Sequence, residues 1–153
     1  MISLPELNIP AYPFRIRQSE TLYEIWDEFR KKYVALTPEE WVRQHILMYL
    51  VSELGFPAGR MAVEMTLQVH GVSLRCDALV YDEHLNPLML IECKAPQVPI
   101  TNDTLMQIAR YNQTAGVNYL LVTNGMKHYC FQRKSNEPGF VSLQQIPAYA
   151  ELK

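Results

Sequence analysis

The chain has 153 residues, of which 48% are hydrophobic and 20% are charged, and its formal net charge is −2 at pH 7. This composition is ordinary for a globular protein, and the length suits one domain with a proper core. No apolar run is long enough to cross a bilayer, and the N-terminus does not resemble a signal peptide. The slightly acidic balance does not favour duplex binding, although a bound metal ion would change that balance.

The N-terminal part of the chain is predicted to be extended and then helical. Three prolines predict an extended segment over residues 1–18. Ser19 is a suitable helix cap, and the basic run at residues 30–32 is a suitable helix end. Apolar residues at helical spacing predict a helix between them: Leu22, Ile25, Trp26, Phe29 and Tyr33. We therefore expect an extended segment followed by a single domain over residues 19–153.

A second helix begins at the capping box Thr37-Pro38-Glu39-Glu40 and ends at Gly55. Glu53 follows Tyr49 by four residues and Ile46 by seven, so it falls in the apolar stripe of this helix. A carboxylate that faces a core must be paired, bound to metal or neutral. The alternative is that the last helical turn is solvated.

The rest of the chain alternates strands with one further helix. Predicted strands cover residues 61–70, 74–81, 88–94, 117–123, 126–133 and 140–143. A helix from Thr101 or Asn102 to Gly116 separates the third of these strands from the fourth. A crossover through this helix makes the two strands that it joins parallel. The sequence therefore predicts an α/β (α+β) fold with a mixed sheet flanked by helices.

Two short segments, Arg75-Cys76-Asp77 and Ile91-Glu92-Cys93-Lys94, carry the chemistry. Strand side chains alternate between faces, so Glu92 and Lys94 share a face and Cys93 points the other way. If the two strands form a hairpin, Asp77 lies beside Glu92. Two carboxylates and a lysine at a strand end suit a divalent metal and phosphoryl transfer. The alternatives are an exposed strand with alternating charges and a buried ion-pair network.

The three cysteines, Cys76, Cys93 and Cys130, show no metal-binding spacing. Each lies in a predicted strand. We expect them to be small buried hydrophobic residues, reduced in a cytoplasmic protein.

Five motifs follow one another along residues 19–134: the run from Lys32 to Gln44, Arg75-Cys76-Asp77, Ile91-Glu92-Cys93-Lys94-Ala95-Pro96, Gln107 with Tyr111-Asn112, and Val122-Thr123-Asn124-Gly125. In combination they resemble the N-terminal nuclease domain of type I restriction enzyme R subunits, which belongs to the PD-(D/E)xK nucleases. The ordered set is far more specific than any one motif.

The resemblance implies a restriction-endonuclease-like fold and hydrolysis of DNA that depends on magnesium or manganese. It implies that Asp77 and Glu92 bind the metal, with the carbonyl of Cys93 as a further ligand and Glu53 as the helix glutamate near the metal. Lys94 would orient the attacking water and stabilise negative charge on the phosphate.

The resemblance also suggests residues that contact the substrate. Gln107 and Tyr111 match the family's Gln-x-x-x-Tyr element. Gln107 would hold the water or a phosphate oxygen, and Tyr111 would stack on the DNA or donate to its backbone. Arg75 and Arg110 are the basic candidates for substrate binding.

The sequence departs from the family pattern in three ways. Cys76 stands where a proline usually precedes Asp77, and the sequence contains neither a helicase motor with its P-loop nor a DNA-recognition domain. The chain is therefore expected to be a stand-alone nuclease or a component that restriction-modification or other targeting subunits direct to DNA. The third alternative is a relic of a nuclease that binds without cutting. No membrane partner is expected.

Two hypotheses follow. The first is magnesium-dependent hydrolysis of DNA, favoured by the presence of all the expected catalytic side chains. The second is a non-catalytic DNA- or protein-binding module that retains the nuclease fold, favoured by the acidic balance and the missing motor. Cutting a duplex needs two active sites, so a homodimer is plausible.

Overall fold

The computed structural model describes residues 4–69 and 71–152. One antiparallel sheet contains β1 (Ile16–Ser19), β2 (Leu22–Asp27) and β3 (Lys32–Ala35). A six-stranded sheet follows the order of its strands in the chain: β4 (Met61–Val69), β5 (Val72–Tyr81), β6 (Pro87–Cys93), β7 (Tyr119–Thr123), β8 (His128–Arg133) and β9 (Phe140–Leu143). The helices are α1 (Pro38–Leu54) and α2 (Asn102–Ala115), and short 3₁₀ turns cover residues 58–60 and 149–151.

The helix predicted after Ser19 is wrong, because this part of the chain forms the three-stranded sheet. Its aromatic and β-branched residues favour strands. Over so short a stretch, the spacing of these residues fits the periodicity of a strand as well as that of a helix. Trp26 pairs with Tyr33 across β2 and β3, and their ring centroids lie 5.2 Å apart. Lys31 adopts a left-handed φ of 55°, which closes the turn between these strands.

The six-stranded sheet is mixed, as predicted. Strands β6 and β7 are parallel, and the other neighbouring pairs are antiparallel. Helix α2 makes the crossover between the two parallel strands. All five residues of β7 are buried, as expected for a central strand that is covered on both faces.

The two helices cover opposite faces of this sheet. The apolar stripe of α1 packs with residues that alternate along the strands, including Ala78, Val80 and Ile91. Residues of the opposite parity, such as Leu79 and Leu90, pack with the apolar side of α2. Neither helix in the described part of the chain is long and apolar enough to span a membrane.

Helix α1 has well-defined ends. The hydroxyl of Thr37 accepts a hydrogen bond from the Glu40 N–H at 3.0 Å, which confirms Thr37 as the helix cap. The carboxylate of Glu40 does not complete the predicted capping box, because it accepts from Arg30 and Arg43 instead. Gly55 ends the helix with a φ of 71°, a conformation that favours glycine.

Cys76, Cys93 and Cys130 are buried and none forms a disulfide, as predicted. Burial raises the pKa of Cys76 and of Cys130 to about 12. Since the thiolate is the reactive form, these residues act as packing groups.

Candidate functional site

Asp77 and Glu92 lie side by side at one end of the β5–β6 pair. Ala78 faces Ile91 in the antiparallel register, which brings the two carboxylates together. The backbone N–H of Cys93 donates to Oδ2 of Asp77 at 2.6 Å and fixes that carboxylate. The predicted hairpin is therefore confirmed.

The two carboxylates and Lys94 line one cleft of about 220 Å³. The cleft is lined by Glu39, Arg43, Glu64, Arg75, Cys76, Asp77, Glu92, Cys93 and Lys94. Cys93 and Ile91 belong to the apolar cluster under α1, as the alternation of strand side chains predicts. The Lys94 N–H donates to the Thr123 carbonyl at 2.8 Å, which fixes the backbone just beyond β6.

Like charges meet in this cleft. Burial raises the pKa of Glu92 to about 8, with a further contribution from the negative charge of Asp77 that Lys94 only partly offsets. Burial and the charge of Asp77 also raise the pKa of Glu39. A bound cation would relieve this repulsion.

The buried side chain of Arg43, on α1, forms an ion pair with Asp77. Its Nη1 donates to Oδ1 of Asp77 at 3.3 Å, and its Nη2 contacts Glu64 at 3.2 Å. Its Nε donates to Glu40 at 3.1 Å. Burial opposes the charge on Arg43, but the carboxylates of Glu40 and Asp77 outweigh it and raise the pKa of Arg43.

Glu53, which the sequence places near a metal, is not among the residues that line the cleft. Glu53 is exposed in the last turn of α1, whereas Glu39 in the first turn lines the cleft. The two residues are separated by fourteen positions, or about 21 Å along a helix at 1.5 Å per residue. The helix carboxylate near Asp77 is therefore Glu39.

The other predicted site residues are divided between the cleft and α2. Arg75 lines the cleft and is exposed. Gln107 and Arg110 are exposed on α2 and are not among the residues that line the cleft. The side chain of Tyr111 lies outside the described part of the structure.

Residues 38–147 match the family model for the N terminus of the type I restriction enzyme R protein. The chain belongs to this family. The matched region contains every residue that lines the cleft and leaves out the three-stranded sheet.

A solved structure supports the fold of this R-protein N-terminal domain. The structure is a fragment assigned to the HsdR subunit of a type I restriction enzyme from Vibrio vulnificus YJ016, with a TM-score of 0.55 and 22% identity. The alignment covers 76% of this chain and 24% of that chain, so the chain spans about a quarter of its length. This likeness confirms the predicted restriction-endonuclease-like fold class. No curated protein sequence matches the chain.

Sequence reasoning missed three cleft residues of this R-protein domain, Glu39, Arg43 and Glu64. The sequence assigns Glu39 to the capping box at the start of α1, and this role gives no sign that the residue lines a cleft. Arg43 lies next to Val42 in the buried stripe of α1, and a charged residue in such a stripe is a signal that could have identified it. Glu64 fitted the exposed side of an alternating strand and gave no such signal.

The donor atoms of the cleft suit a hard divalent cation. Among residues 4–69 and 71–152, no three His, Cys, Asp or Glu side chains form a complete metal-binding group. Magnesium needs no such group, because it is usually bound by one or two carboxylates and keeps several waters. The adjacent oxygens of Asp77 and Glu92, with their mutual repulsion, fit that pattern.

Proposed function

We propose that this domain hydrolyses phosphodiester bonds of DNA in a reaction that depends on magnesium or manganese. One observation carries the proposal. Asp77, Glu92 and Lys94 share one cleft at the end of paired strands, in a chain of the type I restriction enzyme R-protein family.

Asp77 and Glu92 would hold the metal, with the carbonyl of Cys93 as a further ligand. Both carboxylates are positioned by the sheet, and Asp77 is also fixed by the Cys93 N–H and by Arg43. Glu39 would add negative charge without being required as a ligand. A bound magnesium ion would activate a water and neutralise charge on the phosphate.

Lys94 would orient the attacking water and stabilise the negative charge that develops on the phosphate. Lys94, Asp77 and Glu92 line the same small cleft, so a phosphate bound there would lie near both kinds of charge. Such fixed charges usually supply much of the rate enhancement in an active site.

Substrate contacts would extend beyond the cleft. Arg75 is exposed at its edge and is the proposed phosphate contact there. We propose that Gln107, Arg110 and Tyr111 contact the DNA from α2.

The chain would act with other subunits of a restriction-modification system. Its net charge of −2 gives little general attraction to DNA, so targeting by a partner is the simplest arrangement. A homodimer would supply two active sites for cutting a duplex. We also propose one domain over residues 19–153, since an ion pair between Arg30 and Glu40 joins the turn between β2 and β3 to α1.

A cleavage assay with magnesium or manganese tests this function on supercoiled, linear and single-stranded DNA. We expect the wild type to cut at least one form, chelation to stop it, and Glu92→Gln to abolish it. Glu53→Gln is the matched control, because Glu53 is exposed at the other end of α1. If the wild type binds DNA but cuts none of the three forms with either metal, the non-catalytic binding module takes the place of this proposal.

A further inference from the structure

The turn between β2 and β3 is anchored by a buried carboxylate. Asp27 is fully buried, and its Oδ1 accepts the backbone N–H groups of Phe29 at 2.7 Å and Arg30 at 3.2 Å. Its Oδ2 accepts from Nε of Arg30. The position of the Arg30 guanidinium is therefore fixed by its own turn.

From Arg30, ion pairs continue through α1 to the cleft. Nη2 of Arg30 donates to Glu40 at 2.8 Å, and Nη1 lies 3.2 Å from Glu64. Glu40 also accepts from Arg43, whose Nη1 reaches Asp77. Unbroken contacts thus run from Asp27 in the three-stranded sheet to Asp77 in the six-stranded sheet.

We propose that Arg30 is a positioning residue, which holds the carboxylate of Asp77 in the cleft through Glu40 and Arg43. The family model begins at residue 38, so Arg30 lies in a segment that the match does not cover. The three-stranded sheet would then support the site directly.

Burial makes a direct contact with DNA an unsuitable role for these arginines. The side chains of Arg30 and Arg43 are only 16% and 7% exposed, and both face carboxylates. Stability alone does not explain them either, because well-packed apolar residues are often as stabilising as a buried ion pair. Arginine presents a rigid fork of donors that can bridge two carboxylates, whereas lysine is a single point charge.

The ion pairs from Arg30 to Arg43 would fix the orientation of the Asp77 carboxylate. Asp77 accepts from Cys93 through one carboxylate oxygen and from Arg43 through the other. Each oxygen keeps a further lone pair for the cleft. A shift of Arg43 would therefore rotate Asp77 and lengthen its hydrogen bond from the Cys93 N–H.

The test compares Arg30→Lys with Arg17→Lys. Arg17 belongs to the same three-stranded sheet, but its side chain is exposed and its ion pair with Glu24 lies outside the network. Two quantities are measured: the NMR shift of the Cys93 amide proton without metal, and the affinity for manganese by calorimetry. Asp27→Asn serves as a second variant if Arg30→Lys does not fold, since it removes the charge while keeping an oxygen acceptor.

We expect the Cys93 amide proton to move upfield in Arg30→Lys, and the manganese affinity to fall about tenfold, the lower end of the loss seen when supports of metal ligands are changed. Arg17→Lys should change neither quantity. A folded Arg30→Lys or Asp27→Asn that matches Arg17→Lys in both quantities would overturn the proposal.

Only the affinity measurement rests on the proposed function. If the wild type binds no manganese, the proposed function fails at that point. The Cys93 amide shift then decides the positioning role by itself, since it needs no metal.

Discussion

Strands β5 and β6 differ sharply between their middles and the end that forms the cleft. In the middle, Ala78, Leu79 and Ile91 are fully buried and apolar. At the end, Asp77 and Glu92 are held together in a partly exposed cleft where like charges repel. Apolar burial stabilises the fold, whereas burial and charge repulsion at Glu92 oppose it when this carboxyl is ionised. Substitutions in the middle should therefore lower the unfolding free energy, whereas substitutions at the charged end should mainly change DNA cleavage and metal binding.

The largest effect is expected for Lys94→Ala at the charged end. The loss of one electrostatic contact to a transition state costs roughly 10²–10³ in rate. DNA cleavage should therefore fall by about that factor, while manganese affinity is kept or improves because one repelling cation is gone. Cleavage kinetics and calorimetry on the same preparation measure both. A cleavage rate equal to that of the wild type would show that Lys94 has no part in the chemistry.

Ile91→Ala tests the apolar middle. Ile91 is fully buried in the cluster under α1, and such truncations cost about 2–5 kcal/mol of unfolding free energy. Urea unfolding measures this loss. The matched comparison is Glu92→Gln, one position along the strand. This variant should lose much less unfolding free energy than Ile91→Ala, or gain some. Equal losses of unfolding free energy in Ile91→Ala and Glu92→Gln would contradict the difference between the apolar middle and the charged end of these strands.

The pH dependence of stability should reveal the repulsion at the charged end. The ordinary pKa of a glutamate here is 4.5 and that of Glu92 is about 8, so the native state binds more protons than the unfolded state between these values. The metal-free protein should therefore lose stability as the pH rises from 4.5 to 8, by up to about 1.4 kcal/mol per unit for this group. Glu39 contributes in the same direction.

Glu92→Gln should flatten this slope, because glutamine does not titrate. Urea unfolding of both proteins at several pH values, with metal removed, makes the comparison. Identical slopes for wild type and Glu92→Gln would contradict the raised pKa.

The smallest effect is expected from the two ends of α1. Glu39→Gln should weaken manganese binding by less than Asp77→Asn does, since Glu39 adds charge to the cleft without being required as a ligand. Glu53→Gln should leave binding unchanged, because Glu53 is exposed and far along the helix. A larger loss from Glu53→Gln than from Glu39→Gln would reverse the assignment of the helix carboxylate.

The cleft residues on the strands could be predicted because they depend on local rules. Strand alternation and hairpin pairing place Asp77 beside Glu92, and both rules apply within a short stretch of chain. The contribution of α1 could not be predicted in the same way. Helical periodicity identifies a face of α1, but only packing on the sheet decides whether Glu39 or Glu53 meets the cleft.

The N-terminal sheet was missed for a related reason. The apolar residues from Leu22 to Tyr33 fit a helix and a pair of strands about equally well. The pairing of β2 with β3 distinguishes the two, and the ion pair between Arg30 and Glu40 joins the turn between these strands to α1. Interactions of this kind leave no local periodic pattern in a sequence.

Calorimetric titration of manganese into the wild type and Asp77→Asn at pH 7 tests the central claim most directly. We predict one ion per wild-type chain, with release of a proton because Glu92, whose pKa is about 8, must ionise to bind it. Asp77→Asn should lose this binding. Unchanged binding in Asp77→Asn, or none in the wild type, would contradict a metal site in the cleft.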